Sequence, residues 1–191
     1  MNVRAIIVSA IAAFAFTANA LAADSNWKVD PVHSSATFTA IHLGISKVVG
    51  TIPIKSATLT IPSGSNVPAS VQAFLDPSGL DTHVQMRDDD LRSNHFFDVA
   101  QFPVMSFTST TITATDDKHI TINGNLTMHG VTKPVTLAAA FLASGPGMRG
   151  ETRAAYTASV TIDRTQWGMT YGYPVASNTI DLAIDIEAVK Q

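Results

Sequence analysis

Cysteine is absent from this chain of 191 residues. Disulfide bonds, thiolate metal sites and haem attachment through cysteine are therefore excluded, and the fold must be held by burial alone. Charged residues are also scarce, at 14% against about 25% in an average soluble domain. Hydrophobic residues reach 46%, so the chain has much apolar surface to bury.

Clusters of lysine and arginine are absent as well, and the formal net charge is −3. Nucleic-acid binding and attraction to an anionic membrane surface both require a concentrated positive patch. The sequence therefore predicts no nucleic-acid partner.

Long apolar runs are missing except at the N-terminus. A short positive start ends at Arg4, residues 5–18 are almost entirely apolar, and Ala20-Leu21-Ala22 forms a small-x-small cleavage site. The run is shorter than the roughly 20 residues of a membrane-spanning helix. We predict a signal peptide over residues 1–22, cleaved after Ala22, with residues 23–191 forming a single periplasmic domain without stable membrane insertion. An uncleaved anchor is the alternative.

The remainder of the chain is dominated by residues that alternate between apolar and polar, which is typical of β-strands. In the last of these stretches Ile180, Leu182 and Ile184 face one way, and Asp181 and Asp185 the other. A change of phase near Lys55 and Ser56 predicts a β-bulge. About eight strands are indicated, over residues 35–43, 51–61, 70–75, 104–113, 119–128, 131–142, 153–162 and 180–189. This pattern predicts an all-β fold, either a two-sheet sandwich or a closed antiparallel barrel.

One segment, "RDDDLRSNHFFDVAQFP" at residues 87–103, departs from the alternation. Thr82 with Gln85 resembles a capping box, which predicts two helical turns over residues 84–92. Met86 and Leu91 are predicted to face inward and residues 88–90 to face water. Followed by Phe96, Phe97 and Phe102, the stretch near residues 82–98 indicates a lid over one barrel end. The alternative is a crossover whose aromatic side chains only close the core.

Catalytic and metal-binding patterns find little support. The six histidines show none of the usual zinc spacings, and there is no G-x-S-x-G motif. The neighbouring acids at residues 88–90 and 116–117 lie in polar stretches where nothing would shift a pKa. We therefore expect no enzyme activity, no catalytic residue and no metal.

Four stretches resemble, in combination and in order, the YceI-like family of exported lipid-binding domains: "VDPVHSSATFTAIHLGISKVVGTI", "RDDDLRSNHFFDVAQFPVMSFTST", "GNLTMHGVTKPVTL" and "IDRTQWGM". The resemblance implies an eight-stranded lipocalin-like antiparallel barrel in the periplasm. It further implies an elongated apolar cavity that holds a polyisoprenoid, an isoprenoid quinone or another long-chain lipid, without a covalent cofactor.

The family pattern also implies which side chains face this ligand. It places on the inner face, in agreement with the alternation, Phe38, His42, Met105, Phe107, Leu126 and Met128. Tyr156 and Trp167 join them as apolar bodies whose polar tips could meet a polar end of the ligand. In the lid, Phe96 and Phe97 are predicted to close the apolar cavity of the barrel, with Leu91 packed beneath them.

The sequence departs from the family pattern at the predicted mouth. Asp90 stands where a histidine is usual, and His95 where an acid is usual. Gln166 and Trp167 replace an acid and a phenylalanine. We expect these changes to alter the electrostatics of the mouth, so head-group preference is not carried over.

The function predicted from this resemblance is a carrier, reservoir or sequestering protein for a long-chain isoprenoid or quinone-like lipid. The alternatives are an exported enzyme acting on such a lipid and a structural barrel with a filled core. The sequence leaves open a homodimer and a membrane redox partner.

Overall fold

The computed structural model describes residues 24–191, so the predicted signal peptide lies outside the described residues. The described chain folds into ten strands and a single α-helix, α1 (Gln85–Arg92). The strands are β1 (Ser25–Val29), β2 (Ser35–His42), β3 (Ser46–Thr51), β4 (Ile54–Ile61), β5 (Ser70–Leu75), β6 (Met105–Ala114), β7 (His119–Met128), β8 (Val131–Pro146), β9 (Thr152–Asp163) and β10 (Ala176–Lys190). Short 3₁₀ turns follow β5 and β9, at Pro77–Gly79 and Arg164–Trp167.

These strands form a closed antiparallel barrel. The pairing order runs from β1 through β4 to β10, and β1 pairs again with β10, with Trp27 opposite Lys190. Eight strands therefore close the ring, as the resemblance implied, and the sandwich alternative is wrong. The hairpin β2–β3 pairs with the first half of β10, where Phe38 lies opposite Leu182. Closure leaves few unpaired edges, which matters in a fold without disulfides.

The alternation of apolar residues identified the strands because their side chains do point alternately to the core and to solvent. Along β10, residues at every second position from Ile180 to Ile186 are shielded, and those between them are exposed up to Asp185. The predicted bulge near Ser56 is confirmed, since the β4–β5 register shifts between Ile54 and Ser56.

Two glycines make room for aromatic rings inside the barrel. A Cβ atom at Gly50 would collide with the ring of Phe38, its cross-strand neighbour. A Cβ atom at Gly124 would collide with the ring of Phe107. Each ring therefore occupies the space beside a glycine of an adjacent strand, where any larger residue would displace it.

The helix α1 differs from the sequence prediction in its cap and its orientation. Val84 occupies the N-cap without a capping side-chain hydrogen bond, so the predicted capping box at Thr82 is wrong. The Thr82 hydroxyl and N–H both donate to Asp88 Oδ1, at 2.5 and 2.9 Å. Asp88 is consequently buried, with 4% of its surface exposed, whereas Met86 is 81% exposed. The predictions that Met86 faces inward and Asp88 faces water are therefore wrong.

The physical reason is that Asp88 has a better partner than water. Hydrogen bonds from Thr82, that of the hydroxyl first, hold the pKa of Asp88 below its ordinary value. A carboxylate with two donors can be buried at little cost.

Within residues 24–191, no helix is long and apolar enough to span a bilayer.

An arginine in β9 ties together the strands at the barrel seam. Arg153 donates to Asp30 at 3.0 Å, to Glu151 at 2.7 Å and to Glu187. Hydrogen bonds from His33 and then from Arg153 lower the pKa of Asp30 to about 2. Asp30, His33 and Glu187 offer ligand atoms within 4.8 Å of one another. Since the guanidinium already donates to both carboxylates, arginine compensates their charge.

Candidate functional site

Two adjacent cavities lie in the described barrel, and the inner one is lined almost entirely by apolar side chains. Its volume is about 150 Å³. The lining side chains include Phe107 and Leu126 on adjacent strands, and no charged residue takes part. The Tyr156 hydroxyl donates to the carbonyl of Asn66 at 3.0 Å, and burial raises the pKa of Tyr156 to about 12. This polar tip is therefore engaged by the protein.

The second cavity, which we call the mouth cavity, is larger, at about 660 Å³. Its walls come from β2, β10, helix α1 and the segments that follow α1 and β9. Most of the lining is apolar, but the lining also includes His42, Arg87, Asp90, Arg164 and Ser177. Charge is thus confined to this end of the interior.

Four apolar side chains line both cavities: Phe38, Ile52, Met105 and Leu182. We call them the neck. The two spaces are therefore adjacent at these four side chains. Met105 is the most adaptable of the four, since its unbranched thioether has three rotatable bonds.

All but one of the predicted ligand-facing residues line these cavities. Phe38 and Met105 contribute to both, and the inner cavity also contains Phe107, Leu126 and Tyr156. The mouth cavity is further lined by His42, Leu91, Phe96, Phe97 and Met128. The expected inward direction of the β2, β6 and β7 side chains is therefore observed. Space therefore remains between these side chains.

Trp167 is the exception, because it lines neither cavity. Its side chain is 2% exposed, and its indole N–H donates to the carbonyl of Leu126 at 3.1 Å. The Trp167 carbonyl in turn accepts from His129 Nδ1 at 2.9 Å. The expectation that this indole meets a polar end of the ligand is wrong, because the N–H is already used to anchor the 3₁₀ turn to β7.

The segment 87–103, which we call the lid segment, covers the mouth cavity. Phe96 is buried, and its ring meets Tyr171 edge to face at a centroid distance of 5.7 Å. His95 stacks on the same tyrosine at 4.0 Å. His95 Nδ1 also lies 2.6 Å from Asp90 Oδ1. The lid segment is therefore fastened to the loop after β9 by aromatic contacts at the rim.

Two arginines of the mouth cavity were missed by the sequence reasoning. Arg87 lies in α1, and Arg164 begins the 3₁₀ turn after β9. Arg164 is buried despite its charge, and its Cζ lies 5.4 Å from the centroid of the Phe96 ring. The signal was present, since Arg164 lies within "IDRTQWGM", but alternation assigns no direction to a residue in a turn.

Comparison with known proteins agrees with this geometry. The sequence profile of the YceI-like domain matches residues 27–188. The chain belongs to the YceI-like domain family. Protein YceI of Salmonella arizonae is 34% identical over 175 residues, with 92% of this chain and 91% of that protein covered. A UPF0312 protein of an Enterobacter species is 35% identical, with the same coverage.

Solved structures share the fold. BcnA of Burkholderia cenocepacia superposes with a TM-score of 0.74 at 17% identity, covering 83% of this chain and 98% of that one. The YCEI protein of Campylobacter jejuni gives 0.71 at 26% identity, with 79% and 90% covered. A polyisoprenoid binding domain from Saccharophagus degradans gives 0.67 at 13% identity, with 86% and 98% covered.

Proposed function

We propose that this YceI-like protein binds a long-chain isoprenoid or quinone-like lipid in its barrel and acts as an exported carrier, reservoir or sequestering protein. The observation that carries the proposal is a pair of adjacent cavities that share the four apolar side chains of the neck. An apolar space of this kind remains dry and favours hydrocarbon over water. The Saccharophagus domain of the same fold, described as a polyisoprenoid binding domain, supports the ligand class.

Affinity for such a ligand would come from burial of its chain. Each buried CH₂ group contributes about 0.8 kcal/mol, so a dozen contribute near 10 kcal/mol before ordering costs are subtracted. Selectivity would then follow the length of the chain and the shape of the neck. No catalytic group is needed for this role.

Native mass spectrometry of the full chain, produced in a Gram-negative host and purified without detergent, tests the proposal. We expect a stoichiometric long-chain lipid, which organic extraction releases for identification. The protein mass also reports whether cleavage follows Ala22, which tests export separately. A lipid-free protein that also resists loading with isoprenoid quinones and alcohols would contradict the proposal.

An enzyme acting on the same lipid is the second candidate, and one observation bears on it. His42 lies at the mouth cavity with an exposed side chain, and histidine is the side chain that most often serves as a general acid or base. If the extracted lipid is converted by the wild-type protein, His42→Ala should abolish that turnover. Undiminished turnover in this variant would dismiss His42 as the acid–base group.

A further inference from the structure

The mouth cavity carries an excess of positive charge that the bound-lipid role does not require. Arg87, Asp90 and Arg164 are its charged lining residues. Asp90 already has a partner in His95, at 2.6 Å. Within residues 24–191, neither arginine forms an ion pair within 4.0 Å. Two guanidinium groups therefore face this space without a direct ion pair, although Asp88 lies near Arg87 and Asp163 lies near Arg164, and each carboxylate attracts its neighbour.

Arg164 is the more informative of the two, because it is buried, with 4% of its surface exposed. It donates to the carbonyls of Ser177, Met169 and Ala176, at 2.9, 2.6 and 3.3 Å. A guanidinium has five N–H donors, so one N–H remains on each of Nη1 and Nη2. Carbonyl dipoles and the Phe96 ring offset part of the charge, but none of these groups carries a negative charge. Burial accordingly lowers the pKa of Arg164.

Arg87 is fixed by a different contact. Its Nε donates to the Thr82 hydroxyl at 2.7 Å, and its Nη2 donates to the Thr82 carbonyl at 2.8 Å. These bonds hold the side chain against Thr82, which precedes α1, and Asp88 attracts its charge without a direct ion pair. Since Asp88 accepts from the same threonine, the position of Arg87 is built into the packing of α1.

We infer that the ligand of this cavity is a long-chain lipid with an oxyanion head group, a phosphate monoester or a carboxylate, bound at Arg164 with Arg87 facing the same space. This inference rests on the proposed function. A buried charge without a counter-ion costs free energy, and an anionic ligand would recover it. Arginine donors also match the paired oxygens of phosphate and carboxylate.

The distribution of charge also fixes the direction of the ligand. The inner cavity is lined without a charged residue, whereas the mouth cavity holds both arginines. A charged head group in the inner space would be desolvated without a partner. The hydrocarbon tail therefore passes the neck into the inner cavity, and the head group stays under the lid segment.

Three ligands that share one hydrocarbon chain test the inference on the wild-type protein: geranylgeraniol, geranylgeranyl phosphate and geranylgeranoic acid. Affinities are measured by calorimetry on delipidated full-length protein. We expect at least one of the anionic lipids to bind roughly tenfold or more tightly than the alcohol, the size of one charge-assisted hydrogen bond. The tighter of the two anions then distinguishes a phosphate from a carboxylate ligand.

Charge variants locate the site. Arg164→Gln should reduce the preference for the anion to within about twofold. Arg164→Lys keeps the positive charge but loses the forked guanidinium donors, and it should retain much of the preference. Arg87→Gln should weaken the preference less. Arg149→Gln, on the exposed β8–β9 loop, is the matched control and should bind as the wild type does.

The outcomes separate this inference from the proposed function. Equal or tighter binding of geranylgeraniol by the wild-type protein would overturn the oxyanion site and leave the lipid-binding proposal standing. Binding of none of the three ligands would overturn both. Because the first comparison uses only the wild-type protein, it stays decisive even if Arg164→Gln fails to fold.

Discussion

The neck residue Met105 offers a direct way to separate the two cavities, through the substitution Met105→Trp. Met105 lines both spaces and is buried. A tryptophan there would fill the passage between them and block the inner cavity from the mouth side. Overpacking of this kind costs about 1–3 kcal/mol of stability, which the thermal unfolding midpoint will register.

The expected loss of affinity can be worked out from the cavity volume. A cavity of about 150 Å³ is the size that holds one benzene molecule, which is comparable to one five-carbon isoprene unit. At about 0.8 kcal/mol for each buried CH₂-sized group, that unit contributes about 4 kcal/mol. Blocking the inner cavity should therefore weaken a ligand long enough to reach it by up to roughly a thousandfold.

The assay is a series of prenyl alcohols of increasing length, with the dissociation constant measured for each. The affinity of the wild type should rise with chain length and then level off, and Met105→Trp should level off about one isoprene unit earlier. Thr108→Trp, on the exposed face of the same strand, controls for the added indole. Levelling off at the same length in all three proteins would refute the assignment of the tail to the inner cavity.

Three further perturbations have defined outcomes. Phe97→Ala should speed ligand release by about tenfold or more, because it opens the lid segment; unchanged stopped-flow release from a folded variant would count against the lid. Asp88→Ala should destabilise the protein by about 1–3 kcal/mol in urea, because it leaves buried donors unpaired; the exposed neighbour Asp89→Ala should change little. Asp30 has an ordinary pKa of 3.8 that falls to about 2 in the fold, so its stabilising effect is complete above about pH 4 and is lost on acidification toward pH 2. The stability difference between wild type and Arg153→Gln should shrink over that range, and a difference independent of pH would argue against the seam contact.

Eight of the ten described strands could be predicted from the sequence because apolar and polar residues alternate along them, whereas the short strands β1 and β3 were missed. The same property located the inward side chains of β2, β6 and β7 and the bulge near Ser56. Closure of the barrel could not be predicted this way, since the pairing of Trp27 with Lys190 joins the two ends of the domain. It was implied only by the resemblance to a family.

The errors in the helix have a common physical cause. The capping-box rule is local, whereas Thr82 bonds Asp88 inside a packed interface. Once that carboxylate is buried, the helical periodicity turns Met86 outward. The seam arginine Arg153 was missed for a similar reason, because its partner Asp30 lies 123 residues away. Polar contacts over such separations leave no periodic signal.

The departures from the family pattern at the mouth acquire a different meaning in three dimensions. The sequence analysis treated Asp90 and His95 as two changes that alter the electrostatics. In the fold their side chains form one contact, with His95 Nδ1 2.6 Å from Asp90 Oδ1. The two positions therefore act together in this chain. The imidazole follows α1 and stacks on Tyr171, and the acid lies within α1. The positive charge of the mouth cavity thus comes from the arginines, and head-group preference should follow Arg164 rather than the contact between Asp90 and His95.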